Sequence, residues 1–333
     1  MQTPRRASIV GTGMYVPPRV VTNDELAKQM DTSDEWIVQR TGIRTRRHVD
    51  PGTGPADLAK EASLSALEAA GLEPGDLDAI VLASLSPQHE FPGTSAFLQA
   101  ELGISEIPAM DLRCQCTGFL YALQVARLFV ESGQYDRVLV VGTEVHSTGI
   151  EFATRGRDVT VIFGDGAGAV VLGPAEDERG VLSVHLHTQG EFARKLWVEA
   201  PGSVFQPRIN QAMIDEGRHF PQMDGRFVFK HAVTRMPEAM NEALDQNGFK
   251  IEDVDLFLFH QANLRINEYV AAQSGIPPDK VYNNIETYGN CSAAAIPMCL
   301  DECVREGRVG EGALVLMCGF GSGFTWGSAL VRL

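Results

Sequence analysis

The chain alternates between two kinds of apolar spacing almost from end to end. Short apolar runs read as strands buried on both faces: Ala79-Ile80-Val81-Leu82-Ala83, Val138-Leu139-Val140-Val141-Gly142, Leu256-Phe257-Leu258-Phe259 and Leu314-Val315-Leu316-Met317-Cys318. Shorter strands are expected at Pro108–Leu112 and Lys280–Asn283. Between them lie stretches with apolar residues at helical spacing: Ala56–Gly71, Ser95–Gly103, Phe119–Ser132, Met236–Gly248 and Leu264–Gly275. The stretch from Phe119 stops at Gly133, a residue suited to ending a helix. Strand and helix in alternation imply a mostly parallel sheet covered on both faces, an α/β fold class.

The order of elements repeats. Each half runs helix, buried strand, helix, short strand, small-residue elbow, long helix, and a strand ending in glycine, Gly142 in one half and Gly319 in the other. The elbows match as Cys116-Thr117-Gly118 and Asn290-Cys291-Ser292. Two such units packed together predict a layered α-β-α-β-α body, with an N-terminal half over 1–173 and a C-terminal half over 231–333. Residues 174–230 break the rhythm with Pro174, Pro201, Pro207 and Pro221 and read as an inserted connection. A hairpin of Val181–Thr188 with Leu196–Ala200 is expected there, and the rest fits a lid or variable surface equally well. Equivalent strand ends of two duplicated halves converge near a pseudo-twofold axis. Three polar turns lie at such ends, at Cys116, His260 and Asn290, where α/β sheets place ligands.

Charge and cysteine usage narrow the function classes. The net charge of −15 argues against a nucleic-acid binder, which needs a basic face. A local basic patch would still dock an acidic partner. The six cysteines, Cys114, Cys116, Cys291, Cys299, Cys303 and Cys318, form no disulfide framework, and a chain this long needs none. Cys114-x-Cys116 and Cys299-x-x-x-Cys303 have the wrong spacing for a zinc ribbon or finger, so no metal site is expected. No signal-peptide apolar region follows Met1–Arg6, and no apolar run reaches membrane-spanning length. The expectation is a soluble protein of a reducing compartment, the cytoplasm, without membrane association.

Cys116 is the residue with the strongest chemical signal. It falls between a strand and the first turn of a helix, where unpaired N–H groups and the positive end of the helix dipole favour thiolate over thiol. That predicts a depressed pKa. A buried packing cysteine fits the same local pattern. On their own, His260 fits a strand-end histidine satisfied by backbone and Asn290 a turn residue after Gly289. The segment Gly319–Gly327 is glycine-rich but lacks P-loop spacing.

Taken together the motifs resemble the 3-oxoacyl-acyl-carrier-protein synthase III family of thiolase-like condensing enzymes. The resemblance is carried by Asp34–Ile43, Cys116-Thr117-Gly118-Phe119-Leu120-Tyr121, Phe163-Gly164-Asp165-Gly166-Ala167-Gly168-Ala169, His260-Gln261-Ala262-Asn263-Leu264-Arg265-Ile266, Tyr288-Gly289-Asn290 and Gly319–Gly327. It implies a Cys116–His260–Asn290 triad. The thiolate would take up an acyl group, and His260 and Asn290 would donate hydrogen bonds to the enolate left by decarboxylation. It also implies an oxyanion site of backbone N–H groups at Cys116 and Ser322; many relatives carry Gly at the latter place. Trp36 matches the aromatic that stacks on the adenine of coenzyme A. Arg40 and Arg157 match arginines near the nucleotide, and Asn263 joins this substrate-binding set. Arg265 and Lys230 match basic positions at the tunnel mouth, where an acyl-carrier protein docks. Phe91, before Pro92, matches a residue that enters the partner's acyl pocket in homodimeric relatives. The Phe163–Ala169 motif implies structural packing.

Further positions bear on the match and on its rivals. Olefin-pathway condensing enzymes have a Glu directly before that proline, whereas here Glu90 stands one residue earlier. Cys114 replaces a small apolar residue. Cys318 resembles the second cysteine of thiolases, but Gly289-Asn290-Cys291 stands where thiolases have glycine-histidine-proline. The connection after Pro201 also reads as longer than usual for the family, which would reshape the acyl tunnel. The expected activity is a decarboxylating Claisen condensation of an acyl-CoA primer with a malonyl-acyl-carrier protein, initiating fatty-acid synthesis, in a homodimer with no cofactor. The alternatives are an acyltransferase or a condensing enzyme of a specialised polyketide or olefin-type pathway, and a non-catalytic carrier-binding subunit.

Overall fold

The computed structural model describes residues 5–175 and 177–333. The chain start through Pro4, part of the segment on which the absence of a leader was read, lies outside them. Two five-stranded sheets organise the molecule. The first holds β1 (Ala7–Tyr15), β2 (Ala79–Ala83), β3 (Ala109–Leu112), β4 (Val138–Glu144) and β5 (Gly166–Pro174), in spatial order β1-β5-β4-β2-β3. The second holds β6 (Gly180–Thr188), β7 (Leu256–Phe259), β8 (Val281–Tyr282), β9 (Leu314–Gly321) and β10 (Thr325–Arg332), in order β6-β10-β9-β7-β8. The two orders are the same when read strand for strand, so the duplication legible in sequence is a duplication of topology. In each sheet three neighbouring strands run parallel and two antiparallel strands complete one side.

Alternation along the strands explains the layers. Val81, Val138 and Val140 face one way and Ile80, Leu82, Leu139 and Val141 the other, all fully buried. The first set packs with helices α4 (Gly118–Glu131) and α7 (Ala295–Arg305) and, beyond them, with Leu258, Val315 and Met317 of the second sheet. The second set packs on α2 (Pro55–Ala70), with α3 (Thr94–Glu101) alongside through Leu98. On the far side of the second sheet, Phe257, Phe259 and Leu316 pack on α5 (Gly225–Asn247) and α6 (Leu264–Gln273). The result is the five-layered α-β-α-β-α body, with α4 and α7 as its buried central layer. A helix in that layer must be apolar on most sides. Accordingly Phe119, Leu120, Ala122, Leu123 and Ala126 are all inaccessible in α4.

Three sequence expectations are corrected. The hairpin of Val181–Thr188 with Leu196–Ala200 does not form. The strand β6 pairs antiparallel with β10, from Thr188 opposite Thr325 to Gly180 opposite Arg332, while Leu196–Trp197 pairs with Gln222–Met223. Pairing with β10 lets Val181 and Ser183 be buried within a full sheet, which an exposed two-stranded hairpin cannot match. The inserted connection assigned to 174–230 therefore carries β6, the counterpart of β1, and the 230/231 boundary falls inside α5. The elbow register also shifts. Cys114 (φ −120°, ψ 24°) and Gln115 (φ 46°) match Cys291 (φ −93°, ψ 24°) and Ser292 (φ 47°), so Cys116 corresponds to Ala293 rather than to Asn290.

Candidate active site

The nucleophile candidate sits on the first of these elbows. Strand β3 ends at Leu112, Gln115 turns the chain through a left-handed conformation, and one 3₁₀ turn (Gln115–Thr117) leads into α4. No side chain caps this helix start. The Thr117 hydroxyl instead lies 2.9 Å from Cys114 O and 2.7 Å from Thr325 Oγ1, tying the elbow to β10. Strand β9 closes over the cysteine. A Cβ at Gly321 would stand 2.7 Å from Cys116 Cβ, so only glycine lets the strand approach this closely. The approach brings the Ser322 backbone N–H to the sulfur, alongside the N–H of Cys116 itself. Ser322 keeps a negative φ, and its hydroxyl is bonded to Leu196 O, so the departure from glycine leaves the backbone donor in place.

His260 follows β7 and Asn290 follows a short helix, Ile285–Tyr288. Both are buried and, with Cys116, line one cavity of about 640 Å³. The backbone of Asn290 is gripped by the other half of the chain: its N–H donates to Ile162 O at 2.9 Å, and its carbonyl accepts from Gly164 N at 3.1 Å. Its side-chain Oδ1 accepts from Ser292 N at 2.8 Å. The amide is thus oriented, leaving Nδ2 as a donor with no partner among the described residues. The ring nitrogens of His260 are buried and have no partner among the described residues. Burial pulls its pKa down to about 3, so the ring is neutral at physiological pH and carries one N–H.

The same cavity reaches the surface beside α1 (Asp34–Thr41), which begins at Ser33, whose hydroxyl accepts from Trp36 N at 3.2 Å. Trp36 and Arg40 lie one helical turn apart, and the Arg40 and Arg157 guanidinium carbons stand 4.4 and 4.6 Å from the Trp36 ring centroid. Arg157 also donates to Asp31 O at 2.6 Å. Arg265, exposed on α6, lines the opening; so does exposed Arg226, which sequence reasoning missed. Lys230, exposed one turn beyond Arg226 on α5, lies outside the cavity wall. Asn263 lines the cavity, but its amide is engaged: it caps α6 through Arg265 N and donates to Arg40 O at 3.0 Å, joining α6 to α1. Phe91 is 82% exposed and is not part of the cavity wall. Glu90 is ion-paired with Arg208 at 2.9 Å, away from the site. Cys318 is buried in β9 against Met236 O.

Electrostatics overturn one expectation. Burial raises the Cys116 pKa, and the Glu144 carboxylate adds to it. The Ser292 hydroxyl and the N–H groups of Ser322 and Cys116 oppose, but the net result is a thiol pushed up to about 11. Desolvation of a buried sulfur outweighs the helix terminus, so the resting site holds a thiol rather than the thiolate predicted from position alone. Glu144, at the end of β4, was not anticipated. It is inaccessible to solvent, and burial pushes it up to about 7. It accepts from Ser84 and Ser86 hydroxyls, from the backbone N–H of Leu85 and Ser86, and from Ala293 N at 3.4 Å. His146, whose ring is tilted against Phe163 with centroids 4.5 Å apart, is likewise buried, with its pKa lowered to about 3 by burial and by His260. Gln261 accepts from Asn284 N and Ile285 N, both at 3.1 Å, and so fixes the loop after His260. Nothing local in the sequence marks these groups; only the packing of distant segments makes them neighbours. Among the described residues no cluster of His, Cys, Asp and Glu could hold a metal ion, and no helix is long and apolar enough to cross a membrane.

The family model for 3-oxoacyl-[acyl-carrier-protein (ACP)] synthase III matches residues 110–190, and that for the C-terminal part of the same family matches residues 244–333. The chain is 45% identical over 329 residues to a beta-ketoacyl-[acyl-carrier-protein] synthase III of Methylococcus capsulatus, spanning 98% of this chain and 99% of that one. The chain belongs to the 3-oxoacyl-acyl-carrier-protein synthase III family. Among solved structures, the synthase III of Aquifex aeolicus superposes with a TM-score of 0.90 at 41% identity, over 98% of this chain and 100% of that one. The priming β-ketosynthase of the R1128 polyketide pathway superposes with a TM-score of 0.92 at 35% identity, over 100% and 98%. The thiolase-like fold of the synthase III family is therefore the fold of this chain.

Proposed function

We propose that this protein is a condensing enzyme that joins an acyl-CoA primer to a malonyl-acyl-carrier protein, releasing carbon dioxide and giving a 3-oxoacyl-carrier product that starts fatty-acid synthesis. The observation that carries the reading is the shared cavity of Cys116, His260 and Asn290, with two backbone N–H groups at the sulfur. In the first half-reaction Cys116 Sγ attacks the thioester carbonyl. The carbonyl oxygen takes up negative charge beside the N–H groups of Cys116 and Ser322, and coenzyme A leaves as the thiol, carrying the proton that Cys116 gives up. Trp36, Arg40 and Arg157 at the mouth suit a nucleotide with phosphates, through stacking and charge. In the second half-reaction the malonyl carboxylate departs as carbon dioxide. The enolate oxygen receives one hydrogen bond from neutral His260 and one from Asn290 Nδ2. Each such donor contributes about 3–4 kcal/mol in comparable oxyanion sites. The enolate carbon then attacks the acyl-Cys116 carbonyl, forming the carbon–carbon bond and expelling the Cys116 thiolate, which regains a proton from solvent.

Arg265, Arg226 and Lys230 form the basic rim to which an acidic carrier protein would dock, and the exposed Phe91 side chain suits insertion into a second copy in a homodimer. No cofactor enters this scheme. The 35% identity to a priming β-ketosynthase supports a second reading, in which the same chemistry primes a specialised pathway. Intact-mass measurement after incubation with acyl-CoAs of graded chain length tests the scheme. An acyl adduct absent from Cys116→Ala supports it, and the chain-length profile separates the two readings. An adduct on Cys114, or transfer of the acyl group to an alcohol or amine with no decarboxylation of malonyl, would replace it.

A further inference from the structure

Ser292 occupies the second elbow at the position matched to Gln115 on the first. Its φ of 47° is a left-handed conformation, strained for a non-glycine residue. Three contacts use that geometry. The backbone N–H is held by Asn290 Oδ1 at 2.8 Å. The next N–H, of Ala293, is held by Glu144 Oε1 at 3.4 Å. The side-chain hydroxyl stands 3.3 Å from Cys116 Sγ and has no other partner among the described residues. Ser292 is inaccessible to solvent, so water cannot replace that contact.

We propose that Ser292 is a catalytic residue of this site: its hydroxyl donates to the Cys116 sulfur, stabilises the thiolate as it forms, and holds it in line with the amide of Asn290. A hydrogen bond to an ionised sulfur is stronger than one to a thiol, so the contact favours the charged form. It belongs to both half-reactions, since the sulfur is the attacking group in the first and the leaving group in the second. The consequence for acyl transfer rests on the condensing-enzyme reading; the hydrogen bond to sulfur does not.

Alkylation by iodoacetamide, which needs no acyl-CoA, separates the two. The rate of Cys116 alkylation is followed against pH by fragment-ion mass spectrometry of the peptide that carries both Cys114 and Cys116, so that Cys114 is scored apart, in the wild type, Ser292→Ala and Ser292→Gly. The expected result is about tenfold slower alkylation at pH 8 in both variants, with the profile displaced by about one unit to higher pH. Glycine suits a φ of 47°, so Ser292→Gly keeps the fold and isolates the hydroxyl from the backbone. A wild-type profile in Ser292→Gly would overturn the proposal and make Ser292 a structural residue. Slowed alkylation in an enzyme that takes no acyl group from acyl-CoA would uphold the role of Ser292 while removing the proposed function.

Discussion

The two elbows of this protein share a backbone and differ in what they carry. Cys114–Thr117 and Cys291–Ala294 make the same turn into the same central layer of helices. At the first, the residue after the left-handed turn is Cys116, held under β9. At the second it is Ala293, and the polar groups come earlier, at Asn290 and Ser292. The pair teaches that a duplicated fold supplies two equivalent places near its axis, and that chemistry needs them to be unequal. One elbow presents a sulfur that must change charge. The other presents an amide and a hydroxyl that donate without titrating. Each half also braces the opposite elbow. Residues 162–164 of the first half grip Asn290, and Gly321 and Ser322 of the second half close on Cys116.

Breaking each elbow separately is the most decisive experiment. Cys116→Ala is expected to abolish the acyl adduct. Asn290→Ala is expected to leave the adduct and to lower malonyl decarboxylation about 10²–10³-fold, read as carbon dioxide release. Equal loss of both steps in the two variants would show that the elbows do not divide the work as proposed. Wedging the elbows apart comes next. A Cβ at Gly142 would stand 2.2 Å from Ala293 O, so Gly142→Ala should cost about 1–3 kcal/mol and lower the melting temperature by several degrees. Removing the carboxylate that bridges β4 to the second elbow has a smaller effect. Glu144→Gln loses acceptor capacity on one side and should cost about 1–2 kcal/mol in denaturant titration. It should also speed Cys116 alkylation above pH 7, because the charge that raises the thiol is gone.

The smallest effect is on the pH dependence of stability. Glu144 is raised from 4.5 to about 7, so its contribution is full below 4.5 and lost as pH rises through 7. His260 and His146 are depressed from 6.5 to about 3 and His48 to about 4, so theirs is full above 6.5 and lost on acidification toward those values. Between pH 7.5 and 6.5 the protonation of Glu144 offsets much of what the three histidines lose, so stability should fall only slightly there and steeply below pH 6.5. In denaturant titrations Glu144→Gln should fall clearly already between pH 7.5 and 6.5, and a profile unchanged from the wild type would contradict the assignment of Glu144.

Much of this was legible in the chain itself. Periodicity gives the buried strands and helices because side chains repeat every two residues in a strand and every 3.6 in a helix, whatever lies around them. Order gives the duplication, and the local motifs around Cys116, His260 and Asn290 give the candidate triad, although Asn290 follows a short helix rather than a strand. Tertiary structure decided the rest. Strand β6 left its expected hairpin for β10 because a full sheet buries what a ribbon exposes. The Cys116 thiol rose rather than fell because enclosure by β9 and the second elbow removes the water that a charge needs. Ser292 and Glu144 became neighbours of the sulfur from 176 residues later and from the end of another strand. Proximity, burial and the electrostatics that follow from them depend on distances between remote segments, and a sequence fixes those only by folding.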